Sequence, residues 1–394
     1  MEDGNAKRAS GVALYRNPRA RGIFFQGIFV LAALWVGYEL IANARSNLAA
    51  QQIASGFGFL EQTAGFDVSQ SLIPYQASDS YHRLFLVGLF NTLLVSALGI
   101  LFATILGFAI GIARLSSNWL VARLAGAYVE LVRNLPLLFQ LLFWYLAVLG
   151  TLPAARESIS IFGEIFLNNR GIVVPRPIFG EGAGYVVAAL AAGLLAAFSV
   201  KLWARRRQMA TGRPFPVLWV ALALVLGLPL AAMIATGFPI EFETPRLAGF
   251  NFAGGLRIIP EFAALLIGLV IYTAAFIAET VRGGILAVSR GQTEAAYSLG
   301  LRRGLMLRLV VIPQALRVII PPLTSHYLNL TKNSSLAVAI GYPDLFAVFA
   351  GTALNQTGQA VEILALTMAT YLLISLITSG LMNFYNARMR LVER

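Results

Sequence analysis

The chain is 394 residues long, 58% hydrophobic and only 12% charged, with a mean hydropathy of +0.74. Soluble domains carry about 25% charged residues, so the composition excludes a soluble globular protein and points to an integral membrane one. The absence of cysteine excludes disulfides, iron–sulfur clusters and thiolate chemistry, and His82 and His326 stand too far apart to form a metal-ligand pattern. The net charge of +12 tracks membrane sidedness, as the order of segments shows, and does not mark a nucleic-acid partner.

Residues 1–21 form a polar tail with Lys7, Arg8, Arg16, Arg19 and Arg21. The first apolar run, 22–44, closes on Ala42-Asn43-Ala44, which mimics a signal-peptidase site. Its length exceeds the roughly 7–15 apolar residues of a signal peptide, so an uncleaved helix is expected. Residues 45–83 read as a polar loop (Glu61, Asp67, Asp79) long enough to pack on the outer face, closing a first region at 1–83. A second span covers about 84–112, with Asn91-Thr92 near its outer end and Arg114 after it.

The third run, 119–150, contains Glu130, Arg133, Asn134, Pro136 and Gln140; residues 134–155 carry no charge and are long enough to cross alone, at about 20 residues per span. Residues 151–183 read as a balanced loop. Spans four and five, about 184–203 and 216–237, enclose Lys201, Arg205, Arg206, Arg207 and Arg213, and 238–260 is another loop. The sixth span, about 261–283, ends in Glu279-Thr280-Val281-Arg282-Gly283-Gly284. Residues 314–358 must cross once, and 361–384 crosses back to Arg388, Arg390 and Arg394. Long continuous apolar runs without strand alternation predict an all-α membrane fold with about eight transmembrane helices. In this layout 21 of the 30 lysines and arginines fall in cytoplasmic segments and seven in outer ones, which places both termini inside.

The most polar and basic interval is 289–322, SRGQTEAAYSLGLRRGLMLRLVVIPQALRVIIPP. Thr293 can cap a helix starting at Glu294, whose carboxylate complements the helix dipole. Ala295, Ala296 and Leu299 then share a narrow face open to close approach by another protein, and Gly300 is placed to end the helix. Pro313 suits the first turn of the next helix, and Arg302, Arg303, Arg308 and Arg317 put the stretch on the cytoplasmic side.

Glu294-Ala295-Ala296, then Gly300, then Val310-Val311-Ile312-Pro313 resembles the EAA loop of ABC importer permeases, with mild departures at Val310 and Ile312, where that family usually has Ile and Leu. The resemblance implies that 289–313 forms short helices docked in a groove of an ATPase subunit, with Glu294, Ala295, Ala296, Gly300 and Pro313 as the coupling residues. Residues 127–140, 279–300 and 330–344 look like the polar amino acid import family, although Leu135 stands where that family more often has Thr. The likeness covers about 84–390, with 184–237 as an inserted helix pair, and the extra helices are similar to those of the general L-amino acid permeases. By resemblance, spans two, three, six, seven and eight form a type I ABC importer permease core.

Ionisable residues inside spans are costly and mark functional candidates. Glu130/Arg133 and Glu279/Arg282 sit at i, i+3 and can neutralise each other, as structural pairs or as a gate or substrate contact. With Gln140, they are candidates for the substrate pathway. The run from Asn329 to Ser335, with Lys332, Asn333 and Ser334, interrupts the segment that must make the seventh crossing. Either a span of about 336–353 buries Asp344, or a broken crossing from about 315 to 345 carries the polar run at its interruption, as at substrate paths; the second is expected.

No GxxxxGK[ST] loop is present, so no ATP or Mg²⁺ is held by this chain and ATP-driven work must come from a partner. The resemblance implies a permease subunit, not an enzyme, in the bacterial inner membrane. It would pair with a homologous second permease, two copies of an ATPase and a periplasmic amino-acid-binding protein. An ion-coupled secondary transporter of small polar solutes is the alternative, distinguished by transport without any ATPase.

Overall fold

The computed structural model describes residues 18–50 and 56–389, so most of the N-terminal tail and the last five residues lie outside the described residues. The helices in chain order are α1 (Pro18–Ala50), α2 (Tyr81–Ala113), α3 (Trp119–Asn134) and α4 (Leu137–Leu142), which continues as π-helical turns over Phe143–Leu149. Then come α5 (Ala183–Thr211), α6 (Val217–Ala235), α7 (Pro260–Leu286), α8 (Arg290–Ser298) and α9 (Arg303–Met306). A π-helical stretch, Leu307–Val311, leads into α10 (Ile312–Asn333), which tightens to a 3₁₀-helix over Ser334–Ile340. Phe346–Ala353 is again π-helical and is followed by α11 (Leu354–Thr357) and α12 (Ala360–Met389). Among the described residues, seven helical stretches are long and apolar enough to cross a membrane, and there are eight if α3 and the helix Leu137–Leu149, bent by 107° to it, count as one broken span. The all-α membrane fold with about eight spans is the one composition and periodicity predict.

The third run, 119–150, is divided by the 107° bend. Pro136 has no N–H, so the Val132 carbonyl loses its partner four residues on, and the chain turns there. Asn118 starts α3, its side-chain oxygen accepting from the N–H groups of Leu120 (3.0 Å) and Val121 (3.2 Å).

The segments read as loops at 151–183 and 238–260 instead hold eight short strands: β1 (Ile159–Ile161), β2 (Ile165–Asn168), β3 (Gly171–Val174), β4 (Arg176–Phe179), β5 (Ile240–Glu243), β6 (Arg246–Ala248), β7 (Asn251–Ala253) and β8 (Leu256–Ile258). They form an antiparallel sheet in the order β1-β2-β3-β8 and the pairs β4–β5 and β6–β7. Runs of three or four residues are too short to show alternation, and β3 finds its partner β8 only after the α5–α6 excursion.

The chain divides into two compact units, residues 1–91 with 344–377 and residues 92–343 with 378–394. In the first, Phe59 and Ala64 from the segment after α1 pack with Leu84, Leu345, Phe349 and Ile363, so the polar loop does fold onto helical residues. Asp344 is fully buried there and accepts hydrogen bonds from the Ala347 N–H and the Tyr371 hydroxyl, both 2.8 Å. Each of its two oxygens thus has a hydrogen-bond donor, as buried polar groups require.

In the second unit α7 is the most enclosed span, with Ala264, Leu265, Leu269, Ala274 and Ile277 inaccessible to solvent. Gly107 and Gly111, one turn apart on α2, let α7 close in: a Cβ at Gly107 would lie 2.6 Å from Ile277 side-chain atoms, and one at Gly111 2.7 Å from the Ala278 carbonyl. Small residues four apart permit such backbone approach between membrane helices, where packing and not water exclusion drives association.

Candidate functional site

The stretch after α7, expected on the cytoplasmic side, is built by its termini. Helix α8 starts at Arg290, one turn earlier than expected, so Thr293 lies inside it and its hydroxyl donates back to the Arg290 carbonyl (2.6 Å). It therefore does not cap, and Glu294 sits beyond the first turn. The other end is as predicted. Gly300 adopts φ +72°, its N–H bonds the Tyr297 carbonyl (2.8 Å), and the Leu301 N–H bonds the Ala296 carbonyl (3.1 Å). That pair of bonds is a Schellman motif, closed by the contact of Leu301 with Ala296.

The predicted common face of Ala295, Ala296 and Leu299 splits in two. Ala296, 3% exposed, packs inward with Met306 and Val311, whereas Ala295 is exposed and Leu299 is 80% exposed. Adjacent residues on a helix lie 100° apart, so an alanine pair cannot serve one surface. Ala296 anchors α8 to its own chain and leaves Ala295 and Leu299, at i and i+4, facing out with Tyr297. Pro313 falls in the first turn of α10, as expected.

Just before α8, Glu279 pairs with Arg282 (Nη2–Oε1 2.5 Å) and also with Arg114, which follows α2. The i, i+3 pair is there, and Arg114 makes it a triad. The close approach allowed by Gly107 and Gly111 carries Arg114 to the carboxylate. Glu130 and Arg133 behave differently: among the described residues no ion pair joins them, and the Arg133 guanidinium lies 5.2 Å from the centre of the Phe276 ring. An arginine is weakly hydrated and planar, so an aromatic face can hold it.

Gln140 has a structural task. Buried at the elbow, its amide donates to the carbonyls of Val132 (2.9 Å) and Leu135 (3.0 Å), replacing the donor that Pro136 lacks.

Between α7 and α10 lies a cavity of about 310 Å³ lined by Tyr272, Thr273, Phe276, His326, Asn329 and Asn333. Its volume is within the ~300–1,000 Å³ of small-molecule sites. His326, Asn329 and Asn333 recur at i, i+3 and i+7, one face of α10, and His326 Nε2 is 2.9 Å from the Thr280 hydroxyl. Asn333 is thus the one residue of the predicted Lys332–Ser334 group that lines it. Lys332 is exposed and does not, and Ser334 is buried with its hydroxyl donating to the Thr331 carbonyl (2.8 Å). The expected break is a tightening of the helix. Ser334 and Ser335 donate to the Thr331 and Lys332 carbonyls, both 2.8 Å, and the span runs on as one helical stretch from Arg303 to Ile340. Asn329 belongs to the polar run singled out in the sequence, whereas Tyr272, Thr273, Phe276 and His326 were not expected here, although the i, i+3, i+7 spacing of His326 with Asn329 and Asn333 was visible. Among the described residues no cluster of His, Asp and Glu is arranged to hold a metal ion.

A membrane chain of this topology, with a short two-helix cytoplasmic segment wired to the two helices of a polar intramembrane cavity, has the layout of an importer permease. Residues 184–391 match the family described as binding-protein-dependent transport system inner membrane component, and the chain belongs to it. It is 51% identical, over 97% of its length and 95% of the relative's, to the general L-amino acid transport system permease protein AapQ of Rhizobium johnstonii. It is 50% identical to the putative amino-acid ABC transporter permease protein YhdX of Escherichia coli, over 98% of both chains. To the glutamate/glutamine/aspartate/asparagine transport system permease protein BztB of Rhodobacter capsulatus it is 43% identical over 97% of this chain and 96% of that one. The chain is accordingly a multi-pass permease subunit of a bacterial inner-membrane ABC importer, and membership implies an ATPase and a binding protein as partners.

Proposed function

We infer that this subunit carries L-amino acids handed over by a periplasmic binding protein, working with a homologous second permease and two copies of an ATPase that supply ATP and Mg²⁺ chemistry. The observation that supports this reading most is the Schellman-terminated α8, which holds Ala295 and Leu299 outward directly after the Glu279 triad. ATP binding in the partner moves α8, and the motion passes to α7 through the three residues Ala287–Ser289. The triad makes the end of α2 follow. The cavity lined by Tyr272, Thr273, His326, Asn329 and Asn333 is the substrate path. Its neutral donors and acceptors suit the ammonium and carboxylate groups of a zwitterion and leave the side chain loosely specified.

The test is reconstitution of the permease pair with ATPase and binding protein in vesicles, followed by uptake of labelled L-amino acids. Uptake should need ATP on the ATPase side and binding protein on the other. Uptake driven by an ion gradient without the ATPase would replace this reading with that of a secondary transporter.

A further inference from the structure

Helices α5 and α6 pack against each other, and their other faces are apolar and exposed: Leu190, Leu194 and Phe198 on one, Leu218, Leu222 and Leu226 on the other. Their lengths are unequal. Helix α6, with 19 residues, is about 28 Å long, close to the ~30 Å of hydrocarbon in a bilayer. Helix α5, with 29 residues, is about 43 Å long. Gly193 sets the register, since a Cβ there would lie 2.6 Å from the Leu224 carbonyl. Counting from that contact, the outer ends are level, and α5 outruns α6 on the cytoplasmic side from about Lys201 onward.

The headgroup layer adds roughly 5–8 Å per leaflet, so at 1.5 Å per residue the segment from Lys201 to Arg206 falls within it. Lys201, Arg205, Arg206, Arg207 and Arg213 are exposed, and among the described residues none of them pairs with a carboxylate. Asp and Glu are absent from the sequence between Glu181 and Glu241. Sidedness alone needs no geometry, but here there is geometry. The chain folds back so that Phe215 meets Trp203 edge to face at 5.1 Å, and the Arg207 guanidinium lies 5.3 Å from Trp203 and 5.7 Å from Phe215. An aromatic pair at headgroup depth with cations beside it matches the amphipathic composition of that layer.

We propose that the cytoplasmic end of α5 seats the phosphodiester headgroup of an anionic phospholipid of the inner leaflet, with Arg206 and Arg207, three and four residues after Trp203 and so flanking it on one side of the helix, on the phosphate, Lys201, Arg205 and Arg213 adding to the positive charge around it, and Trp203 at the level of the glycerol. Arginine fits this task because its planar fork meets two phosphate oxygens at once. Juxtamembrane cations gain about fivefold in attraction to an anionic leaflet each. The seat fixes the depth of a helix pair that the remaining helices hold only weakly. It stands independently of which solute the importer carries.

The experiment uses the complete transporter reconstituted in phosphatidylcholine bilayers containing a fixed fraction of either brominated phosphatidylglycerol or brominated phosphatidylcholine. The readout is the quenching of Trp203, taken as the difference between the natural protein and Trp203→Phe. Phosphatidylglycerol should be enriched about fivefold or more at Trp203, and Arg206→Gln with Arg207→Gln should bring it to parity. Arg206→Lys with Arg207→Lys should retain most of the preference, which separates lost charge from lost sidedness. Equal quenching by the two lipids in the natural protein overturns the proposal, whatever the variants do. So does loss of the preference on adding inorganic phosphate at the lipid's concentration, which would reveal a site for the free anion.

Discussion

Gly300 offers the sharpest test of the coupling segment, because its cost on substitution is conformational and nothing else. Its φ is +72°, and no heavy atom lies within 4 Å of where a Cβ would be, so added bulk meets open space. A left-handed conformation costs a residue with a Cβ about 1–2 kcal/mol, and a β-branched one more. Asn, which tolerates that region, should cost a few tenths of a kcal/mol. Because α8 is short, the loss falls on the Schellman turn, so the segment spends less time in the shape that docks. At 1.4 kcal/mol per factor of ten, Gly300→Ala should weaken ATPase binding about fivefold and Gly300→Val about thirtyfold, with Gly300→Asn near normal. The assay titrates ATPase onto the permease in nanodiscs and reads both affinity and substrate-stimulated hydrolysis. Full affinity in Gly300→Val refutes the reasoning. An equal loss in Asn, Ala and Val does so too, because side-chain bulk and not backbone conformation would then control docking.

Gln140→Leu leaves two carbonyls at the elbow without a donor, at about 1–3 kcal/mol for each unsatisfied buried group; the thermal midpoint of the purified permease should fall, and an unchanged midpoint would show that the elbow does not depend on this amide. Glu279→Gln keeps the shape of the triad and removes its charge, so substrate-stimulated hydrolysis should drop while basal hydrolysis persists. A double-mutant cycle with Arg114→Gln should give a coupling of about 0.5–3 kcal/mol, and a coupling of zero would dissolve the triad as a functional unit. Asn333→Ala should lower transport without loss of assembly, whereas Lys332→Met, outside the cavity, should leave it unchanged; the reverse order would put the substrate path elsewhere.

The spans were legible in the sequence because each is a long apolar run. Gly300 was legible because few other residues end a helix in that conformation. The rest depended on partners distant in the chain. Thr293 looked like a cap, yet the helix began at Arg290, with Ser289, a residue type equally favoured at that position, as the N-cap. Gln140 looked like a polar group in search of a substrate, and in the structure its amide is held by the Val132 carbonyl that Pro136 had orphaned and by the Leu135 carbonyl at the elbow. Glu130 and Arg133 had the spacing of a pair, but Phe276, over a hundred residues away, took the guanidinium. Strands of three or four residues such as β1 and β8 leave no periodicity to detect, and β3 and β8 are separated by two whole spans. The docking role expected of the segment rests on the family resemblance, since no local pattern in it reveals one.

The wiring of that segment has a mechanical consequence. Helix α8 is joined to α7 by three residues, and it leads through Leu299–Arg302 and α9 into the continuous helical stretch that becomes α10. These two spans are also the two walls of the polar cavity. If α8 is the coupling helix we propose, one input stroke reaches both jaws of the same vice, and neither is driven while the other idles. A linkage of this kind transmits a gate movement with little slack, so the solute should meet a passage whose walls shift in concert.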